Sequence, residues 1–196
     1  VQEVKDILAR DLPKVKLIVD KAMQRGLERV YFVACGSPLS AAETAKQLFD
    51  RYSNIPCAAY SGWNFVDSTP AALHDKCLVI GISQYGKTEE VTMALDLARN
   101  AGALTVAVTK DASNPIVKSA EHVIDYHAEC IWEAHTIISY AFAIEIIQRT
   151  QPHPDLETVK TQLPLLPAVL EKLVNGYEET GRKLGEMASK WPLIYT

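Results

Sequence analysis

The stretch that most constrains this chain is an apolar run, Cys77-Leu78-Val79-Ile80, that passes directly into Gly81-Ile82-Ser83-Gln84-Tyr85-Gly86-Lys87-Thr88 and then into Glu89-Glu90-Val91-Thr92. It reads as a buried strand, a glycine-bearing turn and the opening of a helix. Such a turn leaves backbone N–H groups unpaired at the positive end of a helix. Glycine allows close approach there, and Ser and Thr hydroxyls add donors. The combination suits a phosphate. The same design stands earlier, where Val30-Tyr31-Phe32-Val33-Ala34 leads into Cys35-Gly36-Ser37-Pro38 and a helix over Leu39–Leu48. Two such turns at strand ends imply one shared pocket.

Strands and helices alternate along the chain. Further strands are predicted around Cys57 to Tyr60, over Ala103–Thr109 and over His122–Tyr126, which makes five. Their apolar residues are near-continuous rather than alternating, the pattern of a parallel sheet covered on both faces by helices, an α/β fold. Ligands of such sheets bind beyond the carboxyl ends of the strands, where both glycine turns lie. A helix is predicted from about Gln2 to Arg25, with Pro13 placed to break or restart it and Gly26 to end it. Ser61-Gly62-Trp63-Asn64-Phe65 reads as a turn. A helix from Thr88 to about Asn100 ends at Gly102, and a short helix follows Asp111, Asn114 and Pro115. An apolar helix spans Ile131 to about Gln148, and Gln151-Pro152-His153-Pro154-Asp155 reads as a linker. Two more helices follow, Leu156–Leu173 and Tyr177–Lys190, interrupted by Pro164, Pro167 and the Asn175-Gly176 turn.

With 196 residues the chain has room for one substantial domain. Its 20 basic and 24 acidic residues provide no broad positive field, which disfavours nucleic acid or acidic lipid as a partner. No apolar run approaches the roughly 20 residues of a membrane span, and a cytoplasmic location is expected. Cys35, Cys57 and Cys77 sit in or beside apolar strands and, with Cys130, show no paired spacing, as expected of reduced core residues. His127, Cys130 and His135 match no standard metal-site spacing, so no metal is expected.

Three readings of the second turn compete. Gly81 to Thr88 satisfies G-x-x-x-x-G-K-T, the nucleotide-binding P-loop pattern. However, the only acid available for its magnesium is Asp125, on the predicted edge strand, and the Cys35-Gly36-Ser37 turn would have no role. Alternatively, both turns are plain loop geometry, with Gly supplying a positive φ and Ser or Thr capping the helices. A cap needs one side-chain oxygen, whereas Ser83, Gln84 and Thr88 offer three polar side chains around a glycine, which favours the phosphate.

The segments Ala34-Cys35-Gly36-Ser37, Ile82-Ser83-Gln84-Tyr85-Gly86-Lys87-Thr88-Glu89-Glu90 and Gly102-Ala103-Leu104-Thr105 resemble the sugar isomerase (SIS) domain family from about Arg29 to Gln148. The resemblance implies a three-layer α/β/α sandwich with a five-stranded parallel sheet, flavodoxin-like or Rossmann-like, with N- and C-terminal helices added. It divides the chain into an N-terminal helical segment (1–26), a phosphosugar-binding SIS domain (27–150), and a helical linker running into the start of a second SIS domain (151–196). By the same resemblance Ser83, Gln84 and Thr88 hold the phosphate, Tyr85, Gly86 and Lys87 contribute backbone N–H groups, and Ser37 of the Gly36 turn contacts the sugar phosphate. Pro38 stands where many relatives have a second hydroxyl, and Asn64 where many have an acid. Glu129 and Glu133 fall where the family lines part of the sugar pocket, or else serve as helix N-terminal acids.

Cys35-Gly36-Ser37-Pro38-Leu39, Ser61-Gly62-Trp63 and Cys130-Ile131-Trp132-Glu133 look most like the deglycase branch of the family, which releases an amine from a glycated amino acid. The implied reaction takes fructoselysine 6-phosphate and water to glucose 6-phosphate and lysine, with no cofactor. An aldose-ketose isomerase, an amino-sugar synthase and a phosphosugar-sensing module remain alternatives. The branch carries two SIS domains, with the main acid/base pair, a Glu and a His, in the second. This chain starts at Val1 and stops at Trp191–Thr196 in what reads as the opening of a strand. It is therefore expected to be a fragment, with low activity alone and a homodimer or higher homo-oligomer as its full form.

Overall fold

The structure, a computed structural model, describes residues 1–190; the Trp191–Thr196 run lies outside the described residues. The elements are α1 (Gln2–Gln24), β1 (Arg29–Ala34), α2 (Ser37–Tyr52), β2 (Cys57–Ser61), α3 (Gly62–Asp67), β3 (Cys77–Ile82), α4 (Glu89–Asn100), β4 (Leu104–Thr109), β5 (His122–Asp125), α5 (Ile131–Thr150), α6 (Pro154–Gln162) and α7 (Leu166–Ala188). All five strands are parallel, in the order β2-β1-β3-β4-β5. The sheet predicted from the apolar runs is present, with helices on both faces.

Side chains alternate across the sheet, as strand geometry requires. Val30, Phe32 and Ala34 of β1 join Leu78, Ile80 and Ile82 of β3 in a core shared with α1, α2 and α5. Tyr31 and Val33, with Val79, face α3 and α4 instead. Gly81 lies on this second face, where an added Cβ would come within 2.8 Å of Leu95, so its lack of a side chain lets α4 close on the sheet. The order matters for function. From β1 the chain leaves for β2 on one side, then crosses to β3 on the other, so α2 and α4 start from adjacent strand ends but pack on opposite faces. A crevice opens where the connections diverge. In register, Ala34 stands beside both Ser61 and Ile82, so the three strands end level below it.

Three local expectations are corrected. Pro13 does not interrupt α1. A proline inside a helix costs about 3 kcal/mol, but Val4 and Ile7 before it and Val15, Ile18, Val19 and Ala22 after it are all buried on one face, at roughly 1.5–3 kcal/mol for each large side chain. Packing outweighs the lost hydrogen bond. The segment after β2 is a short helix, because the Ser61 side chain accepts the Asn64 N–H at 3.3 Å and Phe65 is buried edge-on against Tyr31 and Tyr60. Finally, α7 runs unbroken through Asn175 and Gly176, and the interruption falls at the 3-10 turn Leu163–Leu165. Each interior glycine costs only about 1 kcal/mol, and α7 carries three, Gly176, Gly181 and Gly185, without a break in its 23 residues.

The first helix is clamped to the far edge of the sheet by charge. Asp11, fully buried, meets Arg10 at 2.9 Å and Lys14 at 3.2 Å. Lys14 also reaches Asp125 at 2.6 Å, and Arg10 donates to the Tyr126 carbonyl at 2.6 Å. Close by, His135 of α5 is buried against the Tyr126 hydroxyl at 3.0 Å, and burial pulls its imidazole down to about 4. Because the folded protein holds His135 neutral, unfolding takes up a proton between pH 6.5 and about 4. Its contribution is complete above 6.5 and is lost as pH falls. Between pH 6.5 and 5, wild type should lose roughly 1.5 kcal/mol more denaturation free energy than His135→Gln; an equal pH dependence of the two, read from urea titrations at each pH, would contradict this burial.

Candidate functional site

An open cleft of about 330 Å³ lies above the ends of β1 and β3. It has two walls, the turn from β1 into α2 and the turn from β3 into α4. Of the residues expected at a phosphate site, Ser37, Ser83, Gln84, Tyr85, Lys87 and Thr88 line it. Gly36 and Gly86 form the turns themselves, both in the left-handed region, with φ of +64° and +60°. Pro38 also lines the cleft, together with Cys35, Ile82 and Ile131, which the sequence did not single out.

The second turn is held in place by its own backbone. The Gln84 carbonyl accepts from the Lys110 N–H at 2.9 Å, the Thr109 hydroxyl at 3.1 Å and the Asn114 side-chain amide at 3.1 Å. Asn114 also bonds the Thr109 hydroxyl at 2.8 Å. This buttress was not legible in sequence. Asp111, Asn114 and Pro115 marked only a loop, and nothing in their spacing linked them to a turn some 30 residues earlier. Gly86 closes the turn with its N–H on the Ser83 carbonyl at 3.2 Å, packed so tightly that a Cβ there would stand 2.8 Å from Ile116 and 2.9 Å from Asn114.

Both helix starts above the cleft lack side-chain caps. The N-cap of α2 is Gly36, which has no side chain to offer. At α4 the N-cap is Thr88, whose hydroxyl makes no capping bond and instead meets the Ser83 hydroxyl at 2.8 Å inside the cleft. Among the described residues, the N–H groups of Gln84, Tyr85, Lys87 and Thr88 donate to no other backbone group, whereas that of Gly86, expected among the phosphate donors, is spent on the Ser83 carbonyl. Helices of 16 and 12 residues therefore direct the positive ends of their dipoles and free donors at one cavity. An anion is the ligand that satisfies them. Lys87 adds an exposed cation at the edge.

Glu129 and Glu133 lie outside this lining. Glu129 is exposed and ion-paired with Lys110. Glu133 borders a groove between α5 and α7 and accepts the Cys130 thiol at 2.6 Å, a bond that, with burial, pushes the thiol up to about 11. Glu3 of α1 fixes the approach to α5 by accepting the N–H groups of Glu129 at 2.9 Å and Cys130 at 3.1 Å, which holds its carboxyl below the usual range. The three side chains weighed as metal ligands have separate partners: His135 bonds Tyr126, His127 lies between Asp125 and Asp111, and Cys130 bonds Glu133. The nucleotide-binding pattern is not built either. Its first glycine, Gly81, is interior to β3, and Asp125 is on the edge strand, paired with Lys14 and His127.

Residues 25–145 match the SIS domain family. The chain belongs to that family. All 196 residues align at 53% identity with the N-terminal part of the fructoselysine 6-phosphate deglycase of Escherichia coli K12, covering 58% of that protein. Over 191 residues, 93% of this chain, it is 29% identical to a fructosamine deglycase of Bacillus subtilis 168, covering 57% of it. The crystal structure of a proposed phosphosugar isomerase from Salmonella typhimurium LT2 shares the fold, with a TM-score of 0.80 and 22% identity over 90% of this chain and 55% of that one. The chain thus spans less than two thirds of the length of these relatives. Among the described residues, no helix of this SIS chain is long and apolar enough to cross a membrane.

Gly86→Ala tests the construction of the turn. A non-glycine residue at positive φ costs of order 1–3 kcal/mol before the contacts with Ile116 and Asn114 are counted. The melting temperature should fall by several degrees, and an unchanged melting curve would mean that the turn is held otherwise.

Proposed function

We propose that this chain is the phosphosugar-binding SIS domain of a deglycase that converts fructoselysine 6-phosphate and water to glucose 6-phosphate and lysine. The observation that carries this reading is the convergence of two uncapped helix starts on the Ser83–Thr88 hydroxyl pair. The 53% identity to the Escherichia coli deglycase supports the choice of substrate. In this reading residues 27–150 form the domain, 1–26 a helical segment packed on it, and 151–196 a passage toward a second SIS domain. The protein works in the cytoplasm as a homodimer or larger assembly.

The phosphate displaces the Ser83–Thr88 contact, so both hydroxyls turn to donate to it, joined by the N–H groups of Gln84, Tyr85, Lys87 and Thr88 and by the Gln84 side chain, while the Ser37 hydroxyl meets the sugar phosphate from the other wall. Hydrogen bonds to a charged group are worth about 1.5–3 kcal/mol each. Gripping the phosphate fixes C6 of the open-chain sugar and so positions C1 and C2 for chemistry. A base takes a proton from C1, and the electron pair moves to form the enolamine as the C2 carbonyl oxygen is protonated. Return of a proton to C2 yields the C1 imine, and water adds to C1 and expels the lysine amine. The substrate's own nitrogen supplies the imine. The acid/base pair lies in the second SIS domain, so this domain binds and orients.

Thermal-shift titration of the chain tests the reading. Glucose 6-phosphate and fructoselysine 6-phosphate should raise the melting temperature, and Thr88→Ala should weaken both about tenfold or more by removing one donor to a charged group. Stabilisation by magnesium ATP alone would overturn it. With the remainder of the polypeptide restored, lysine release from fructoselysine 6-phosphate is expected. Interconversion of fructose and glucose 6-phosphates without amine release would mean an isomerase instead.

A further inference from the structure

Glu90, in the first turn of α4, makes contacts that helix-dipole stabilisation does not require. An acid at this position ordinarily points to solvent. Here it is half-buried, and its Oε1 accepts the Cys35 thiol at 3.1 Å, 55 residues away on the other wall of the cleft. It also lies against Gly62, the first residue of α3. A Cβ at position 62 would stand 2.8 Å from Glu90 Cβ, closer still to Cγ, and 3.0 Å from the Glu90 carbonyl carbon. Gly62 is absent from the residues with positive φ, so close approach, not backbone conformation, is what glycine provides there. One residue of α4, the helix that follows β3, therefore touches the structure that follows β1 through its carboxylate and the structure that follows β2 through its Cβ, Cγ and backbone.

We propose that Glu90 is a positioning residue that sets the separation of the two cleft walls, holding Ser37 on one side and Ser83 and Thr88 on the other at the spacing that a single sugar phosphate spans. This inference rests on the phosphosugar reading of the cleft. The bridge needs a protonated sulfur as donor, and burial, reinforced by Glu90 itself against an opposing Gly62 N–H, pushes the Cys35 thiol up. Cys35 adjoins Gly36, the uncapped start of α2, so the bridge acts directly on the turn that carries Ser37.

A positioning role separates ligands by how many walls they touch. Isothermal titration calorimetry on the chain would use glucose 6-phosphate, which spans both walls, and inorganic phosphate, which the Ser83–Thr88 turn can hold alone. In Glu90→Ala and Gly62→Ala, affinity for glucose 6-phosphate should fall tenfold or more while that for inorganic phosphate changes about twofold or less. Glu90→Gln keeps an acceptor for the thiol and should stay within about threefold of wild type for both. Cys35→Ala leaves α4 and its carboxylate intact and should repeat the selective loss at smaller size, which covers the case in which Glu90→Ala does not fold. Equal loss of both ligands, or no loss in Cys35→Ala and Glu90→Ala, would overturn the proposal. A wild-type chain that binds neither ligand would overturn the phosphosugar reading and this inference with it.

Discussion

The carbonyl oxygen of Gln84 accepts three donors, and the site depends on that concentration of bonds. Pinning one peptide plane downward against Lys110, Thr109 and Asn114 leaves the N–H groups of Tyr85, Lys87 and Thr88 without backbone partners, at the point where α4 begins. A turn that spent those donors internally would bind nothing. Gly86 makes the geometry possible, since its left-handed φ and its contact with Ile116 leave no room for a side chain. The same economy appears at Thr88, whose hydroxyl forgoes the usual capping bond and meets the Ser83 hydroxyl within the same turn.

Sheet order then determines where these donors point. Because β1 and β3 are neighbours in space while their following helices pack on opposite faces, α2 and α4 diverge and their N-termini open on one crevice. Affinity for an anion in such a crevice comes mainly from fixed dipoles and backbone donors, which suits a chain with a net charge of −4. A second groove of about 200 Å³ between α1, α5 and α6 contrasts with it. That groove is lined largely by apolar residues, Leu8, Leu12, Ile144 and Leu163 among them, with Lys16 and Lys160 as its cations and an acid, Glu145, that Arg149 engages.

Much of this was legible in the residues. Five near-continuous apolar runs gave a covered parallel sheet, and Ser83, Gln84, Gly86 and Thr88 announced the second turn through their types and spacing. What escaped depended on tertiary contacts. Pro13 looked like a break because its cost is local, whereas the burial of Ile7 and Val15 on either side is not. Gly62 looked like a turn glycine, although it sits in a helix and makes room for Glu90. Asn114 was visible only as a loop residue, since its partners Gln84 and Thr109 are set by the fold. Glu129 and Glu133 illustrate the converse: sequence position put them near the pocket, but side-chain direction carries them to Lys110 and to the α5–α7 groove.

In our reading, free backbone donors at two converging helix starts together form the sugar-phosphate site. The most direct measurement follows backbone amide chemical shifts of the chain during titration with glucose 6-phosphate. The largest changes are expected on the N–H groups of Gln84, Tyr85, Lys87 and Thr88, with a second set at Gly36 and Ser37. Changes centred on the α1–α5–α6 groove, with the two turns unmoved, would contradict it.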